Sequence, residues 1–390
     1  MKLLPFDYAV RNLGRSPSRL VLSVVGSALV CTLVLAAAAF VRGMALSLRA
    51  SGNEHSIIIV GAGSEESIER SEVDSTIAGI IGASIPGIRS QGGVSYVSPE
   101  VHVMLPVTLR AEQPKGPLIT VRGVTLGAML VHAHVRIEEG RFPTPGREEV
   151  MVGGMAAMKM GVRESDLGLG GTILIDQRPW TIVGRFSAPG TVTEAEIWTG
   201  LQDLKTATKR DTDSCVVMAL DPDRAEFADV AIFTKTRVDL ELSAIPERAY
   251  YARLSSFFAP IRVVAWITAA LIGVGGLFGG LNTMYAAFVS RVRELGTLQS
   301  LGFRRIAIVI SLVQESSLAT AAGAILASLI GVFVLDGLAV RFSMGVFGLV
   351  VDAPVLAIGV VSGLVLGLVG ALPPAYRCLR LSIPVALKSV

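Results

Sequence analysis

The sequence predicts a membrane protein with four transmembrane α-helices and a mixed α+β extracytoplasmic domain inserted between spans 1 and 2. Three observations carry this reading. Hydrophobic residues make up 51% of the 390-residue chain and charged residues 17%, and the apolar excess is concentrated in four runs almost free of charge. Between the first two runs lie roughly two hundred residues with soluble patterning, a normal domain size. Arginines and lysines gather at one set of run ends.

Residues 1–19 predict an interfacial amphipathic helix, because Leu3, Leu4, Phe6, Val10 and Leu13 alternate with Asp7, Arg11 and Arg15. Ser16-Pro17 ends it before the first span. Residues 20–41, LVLSVVGSALVCTLVLAAAAFV, hold no ionisable group except Cys31 and match the roughly 20 residues a bilayer core requires. A cleaved signal peptide is the competing reading, given Lys2, Arg11, Arg15 and Arg19 before the run and AAAAF within it. Signal h-regions run about 7 to 15 residues, so the segment reads as a retained span.

Residues 42–262 change pattern completely. Ser56 to Val60, Leu118 to Val124, Glu149 to Val152, Thr172 to Ile175 and Trp180 to Val183 are short β-branched runs bounded by Gly, Pro or Asp, as strands require. A hairpin turn is expected at Asp176 to Pro179, and helices at Ser67 to Gly82, Gly154 to Met160, Leu201 to Lys209 and Pro222 to Lys235. Residues 263–289, 316–335 and 354–372 then repeat the span signature. A connector at 290–315, a short outer loop at 336–353 and a tail at 373–390 complete the chain.

Basic residues set the orientation, since cytoplasmic flanks retain Lys and Arg. The amino-terminal flank, the connector (Arg291, Arg293, Arg304, Arg305) and the tail (Arg377, Arg380, Lys388) are basic, whereas the loop before the last span has Arg341 against two acids. Both termini are therefore expected in the cytoplasm, with 42–262 outside. The net charge of +3 is a topology signal; a nucleic-acid surface lacks the aromatic interleaving it needs. Cys31, Cys215 and Cys378 fall in a span, outside and inside, so no intrachain disulfide is expected.

The connector carries the most specific local signal. In SRVRELGTLQSLGFRRIAIV, Arg293, Thr297, Ser300 and Arg304 form a polar stripe at helical spacing, Val292, Leu295 and Leu298 fall away from it, and Gly302 is placed as a left-handed cap. Glu315, just before the third uncharged run, reads as a hydrated group at the inner interface rather than a transport residue. Gly275 and Gly279, Gly276 and Gly280 in the second span, and Gly359, Gly363 and Gly367 in the fourth stand four apart, which lets helix backbones approach, either within the chain or across a dimer.

His132 and His134, with Glu138 nearby, have strand spacing for metal ligation, but two ligands do not make a site and the pair reads as a surface one. G-x-S-x-G, H-E-x-x-H and the G-x-x-x-x-G-K-[ST] phosphate loop are all missing, so no catalytic, cofactor-binding or metal residue is assigned. An ATP-driven role would need a partner.

The motifs in their order resemble the permease subunits of MacB/FtsX/LolC-type ABC transporters over nearly the whole chain. They are YAVRNLGRSPSRLVLSVVG, ITVRGV, EEGRFPTPGREEVMVGGMAAMKMGV, DLGLGGTILIDQRPWTIVGRF, SRVRELGTLQSLGFRRIAIVISLVQESSL and PPAYRCLRLSIPVALK. The resemblance implies a multi-pass inner-membrane subunit, non-catalytic itself. It implies a second copy or a related permease beside it, a cytoplasmic ABC ATPase dimer that binds ATP and Mg, membrane lipid, and in some members a periplasmic adaptor. It also implies that 290–302 is the helix docking on the ATPase, through Arg291, Arg293, Glu294, Leu295, Gly296, Leu298, Leu301 and Gly302, with Leu295 and Leu298 as apolar anchors. Family members often have a longer charged run where this chain has SRVREL.

Export or extraction of a hydrophobic compound, peptide, lipid or lipoprotein is the first functional expectation. An FtsX-like mechanotransmitter regulating a cell-wall hydrolase is the second; the large outer domain favours the first. A membrane-anchored receptor would leave SRVRELGTLQSLG unexplained.

Overall fold

The computed structural model describes residues 6–109, 116–342 and 345–388; Lys2, Leu3 and Leu4 of the expected interfacial helix lie outside them. In chain order, α1 (Phe6–Arg15) and α2 (Pro17–Ala50) are followed by β1 (Ser56–Gly61), α3 (Ile77–Ser84), β2 (Ser90–Gln91) and β3 (Val94–Ser95). Then come β4 (Val97–Thr108), β5 (Leu118–Val124), α4 (Ala128–Val131), β6 (Arg136–Gly140), β7 (Glu149–Gly153) and α5 (Ala156–Met160). The outer segment continues with β8 (Thr172–Ile175), β9 (Arg178–Ser187), β10 (Ile197–Gly200), α6 (Leu201–Thr208), β11 (Cys215–Ala219), α7 (Phe227–Thr236), β12 (Leu242–Pro246) and α8 (Glu247–Phe257). Last are α9 (Ala259–Val289), α10 (Val292–Ser300), α11 (Arg305–Ile330), β13 (Ala339–Phe342), β14 (Gly345–Gly348), α12 (Ala353–Leu379) and α13 (Ile383–Lys388).

Among the described residues, α2, α9, the helix Arg305–Leu335 and α12 are long and apolar enough to cross a membrane. Each runs beyond its expected span: α2 continues to Ala50, α11 starts at Arg305, and α12 carries Pro373 and Pro374 inside it and ends at Leu379. Hydropathy marks only the lipid-facing stretch, whereas backbone hydrogen bonding continues past it.

The chain divides into two compact units, one of residues 1–43, 260–338 and 349–390, the other of 44–259 and 339–348. In the first, Arg42 pairs with Asp352 at 2.7 Å, tying α2 to the N-cap of α12. The glycines divide by partner. A Cβ on Gly359 would meet Leu35 at 2.8 Å, one on Gly363 would meet Ala324 at 2.6 Å, and one on Gly367 would meet Ser317 Cα at 2.7 Å. The α12 stripe is therefore close packing on α2 and α11 within the chain. A Cβ on Gly276 would meet Val30 of α2, while one on Gly275, Gly279 or Gly280 would meet nothing within 4 Å among the described residues.

The second unit is built on a ten-stranded mixed sheet in the order β12-β1-β11-β4-β5-β10-β7-β9-β6, with β8 on β4 and β9. Its 12-residue strand β4 pairs with β11 through Val97 to Glu100 and with β5 through Val101 to Pro106, so it links the two halves of the sheet. Sequence patterning misses β4, because Pro99 and Pro106 punctuate it. It also misses β10, β11, β12 and α8. The expected helix 67–82 is interrupted: a 3-10 turn at Ile68–Arg70 precedes a bridge from Val73 to Asp213, and α3 begins only at Ile77. The β8–β9 hairpin turns at Asp176 and Gln177, both at positive φ (47° and 66°), as a two-residue hairpin loop demands. The loop expected at 336–353 instead contains the β13–β14 hairpin, which packs with the second unit: Phe342 and Phe347 meet Phe258 edge to face, and the Lys159 ammonium donates to the Phe342 carbonyl.

Candidate functional site

α10 is short because its sequence stops it. Gly302 takes φ 88°; its N–H bonds the Gln299 carbonyl at 3.1 Å, and the Phe303 N–H reaches back to Leu298 at 3.2 Å. This paired 5→2 and 6→1 closure is the Schellman motif, and the side chains of Leu298 and Phe303 complete it by packing on one cluster. The helix has two unlike faces. Val292, Leu295 and Gly296 are buried, whereas Arg293, Thr297 and Ser300 are exposed, as are Leu301, Gly302 and Arg304 beyond it.

The buried face corrects one expectation. Leu295 is 1% exposed and Leu298 half-buried, packed with Phe288, Leu312, Ala375 and Ala386 of their own chain, so neither is a free apolar anchor. Gly296 allows a close approach there, since a Cβ would sit 3.0 Å from that of Ala386 on α13. Leu301, just past the end of α10, is an apolar residue left 70% exposed.

A second correction concerns Glu315. It lies inside α11, which begins three turns earlier than the uncharged run, and it is buried rather than hydrated. Its carboxylate accepts from Arg291 Nη1 at 2.9 and 3.2 Å and from Arg19 Nη2 at 3.3 Å. Arg291 Nε also donates to Glu294 at 3.0 Å, and Glu294 accepts from the Tyr8 hydroxyl at 2.6 Å and from Arg15 at 3.3 Å. Burial would lift the Glu294 carboxyl, but Tyr8 and Arg291 outweigh it and hold it below the usual range. The Tyr8 phenol is raised, by burial first and then by Glu294.

The outer unit contains its own buried ionic network, centred on Glu100 of β4. Glu100 Oε1 accepts from His132 Nε2 at 2.7 Å; Oε2 accepts from His102 Nε2 and Arg122 Nη1, both at 3.0 Å. Arg122 forks onto Glu196 at 2.8 and 2.7 Å and lies 5.3 Å over the Trp198 ring, whose Nε1 donates to Glu196 at 2.8 Å. Glu247, at the start of α8, accepts the Asn53 N–H at 3.1 Å. Burial alone would raise Glu100, yet His132 and Arg122 drive it well below the carboxylate range. Burial opposes a proton on His132, and Glu100 overcomes this and raises it. His102 is lowered by burial and by Arg122, and His134 falls to about 4 by burial and by the charge on His132.

His132 is thus a buried residue, not half of a surface pair, and it does not stand alone. It ends α4 rather than lying on a strand, and the fold brings it to Glu100, which also bonds His102, a residue that no local pattern joins to it. Glu100, His102 and Cys215 offer ligand atoms within 4.8 Å of one another. Both carboxylate oxygens are already engaged by Arg122 and the two histidines, and burial pushes the Cys215 thiol well up. The donor set fits a closed ion network better than a metal centre.

Two family descriptions match the chain: "MacB-like periplasmic core domain" over residues 20–232 and "FtsX-like permease C-terminal" over 266–383. The chain belongs to the MacB/FtsX-type ABC permease family. Solved structures similar to this permease include the periplasmic region of MacB from Actinobacillus actinomycetemcomitans (12% identity, TM-score 0.39, covering 54% of this chain and 97% of that one). Others are the extracellular domain of the noncanonic ABC-type transporter YknZ from Gram-positive bacteria (16%, 0.37, 49% and 99%) and a domain of a putative permease protein from Porphyromonas gingivalis (13%, 0.33, 50% and 90%). No curated protein sequence matches it. Membership implies an ATPase partner and dimeric assembly for this multi-pass membrane subunit.

Proposed function

We propose that this permease couples ATP hydrolysis by a separate cytoplasmic ABC ATPase to movement of its outer domain, and that α10 is the docking element. The observation that supports this best is the division of α10 into a face buried in its own chain and an opposite face left exposed between two spans. Arg293, Thr297, Ser300 and Leu301 form the docking surface; Arg291, Glu294, Leu295 and Gly296 hold the helix behind it. Leu301 replaces Leu295 and Leu298 as the apolar anchor. ATP and Mg are bound by the partner, and both termini are cytoplasmic.

Movement of the outer domain serves export or extraction of a hydrophobic compound, peptide, lipid or lipoprotein. The large ten-stranded outer domain supports this reading over hydrolase regulation. The test is purification of tagged permease from its own host, measuring the vanadate-sensitive ATP hydrolysis that co-elutes. Truncating a buried interface anchor costs about 2 kcal/mol or more, roughly 30-fold in affinity. Leu301→Asp should therefore lose the co-eluting activity while remaining inserted and dimeric, and Arg293→Ala should lose less. Full retention by Leu301→Asp rules out docking through this face.

A further inference from the structure

We infer that Glu315 is a positioning residue that clamps α10 to the membrane-proximal ends of α2 and α11, so that a push on α10 is passed to both spans as one rigid piece. The inference rests on the docking role proposed for α10. Its basis is the convergence of three chain segments on one buried carboxylate. Arg291 stands at the N-terminus of α10, Arg19 in the first turn of α2, and Glu315 in the third turn of α11, and the two guanidiniums reach the carboxylate at 2.9 and 3.3 Å. Arg291 in turn holds Glu294 at 3.0 Å, and Glu294 collects Tyr8 and Arg15 from α1. The groups facing the node are thus Arg15, Arg19 and Arg291 against Glu294 and Glu315, with the Tyr8 hydroxyl.

Apolar packing alone would let these helices slide, because dispersion contacts are non-directional. A charge-assisted pair fixes direction and register. Burial makes the clamp sensitive to loss of one member: Glu315 is 6% exposed, and without its charge the Arg291 and Arg19 guanidiniums would face each other with less compensation. Arg291 Nη2 is itself buried without a hydrogen-bond acceptor among the described residues, so losing the Glu315 charge would leave this guanidinium still less compensated.

The experiment places spin labels at exposed Ser18 and at Gln299, a partly exposed α10 residue outside the proposed docking surface, in the full-length permease with Cys31, Cys215 and Cys378 replaced, reconstituted in lipid nanodiscs. The label-to-label distance should be narrow in the permease alone, and unchanged when co-eluting ATPase, ATP and vanadate are present. Glu315→Gln should broaden it while insertion and ATPase co-elution persist. Glu315→Asp, which keeps the charge, should restore a narrow distribution, and Arg291→Gln combined with Glu315→Gln should add nothing further. A narrow distribution in Glu315→Gln, or broadening in Glu315→Asp equal to that in Gln, overturns the clamp. Failure of ATPase to co-elute with wild type would instead count against docking by α10, since the distance in the permease alone is read without it.

Discussion

Arg122 shows how much depends on single side chains inside the outer domain. It neutralises Glu196 by a fork and shares Glu100 with two histidines, all within the buried part of the sheet. Arg122→Met leaves two carboxylates buried with reduced compensation, so it should destabilise the domain by about 3–5 kcal/mol. Hydrogen exchange of the β4 and β5 amides in the intact permease checks this; unchanged protection would mean that the network carries no stability. The histidines add a pH dependence of defined sign. His132 has a folded pKa raised above its unfolded value, so its contribution is complete below about pH 6.5 and is lost as pH rises through the folded value. His134 is depressed to about 4, so its contribution is present above about pH 6.5 and fades as pH falls toward that value. Protection in β4 should therefore decline on both sides of neutrality, and His132→Gln should flatten the alkaline limb alone.

At the scale of elements, the glycine stripes separate intrachain packing from open surface. Gly363→Val drives a branched side chain into Ala324 and the Thr320 carbonyl, and overpacking of this kind costs about 1–3 kcal/mol. Gly279→Val meets nothing within 4 Å, so it should leave the thermal unfolding of the reconstituted monomer unchanged. Equal destabilisation by both would contradict the packing described. The helical spans, the polar face of α10 and its glycine stop were legible in the sequence because each is a local pattern with one dominant cause. Strand β4 was not, since its prolines read as breaks and only its pairing with β5, β8 and β11 makes it a strand. The packing of Leu295 is hidden for a related reason: periodicity identifies an apolar face but not whether that face meets a partner or α13 of its own chain, where Leu295 lies buried. Glu315 and Arg19 lie 296 positions apart, so no local window could join them.

For the whole molecule, the proposed orientation is checked by engineered thiols. A cysteine at exposed Arg380 should resist membrane-impermeant reagent in intact cells, and one at exposed Val238 should react; the reverse pattern would invert the topology. The central claim, that ATP turnover moves the outer domain, is tested most directly by the distance between the Val238 positions of two copies. Val238 is 75% exposed, so a spin label there should leave the fold intact. In the reconstituted permease–ATPase complex, the account predicts one distance distribution without nucleotide and a shifted one with ATP and vanadate, the shift being lost in Leu301→Asp. Identical distributions in both states, in a complex that hydrolyses ATP, would contradict it.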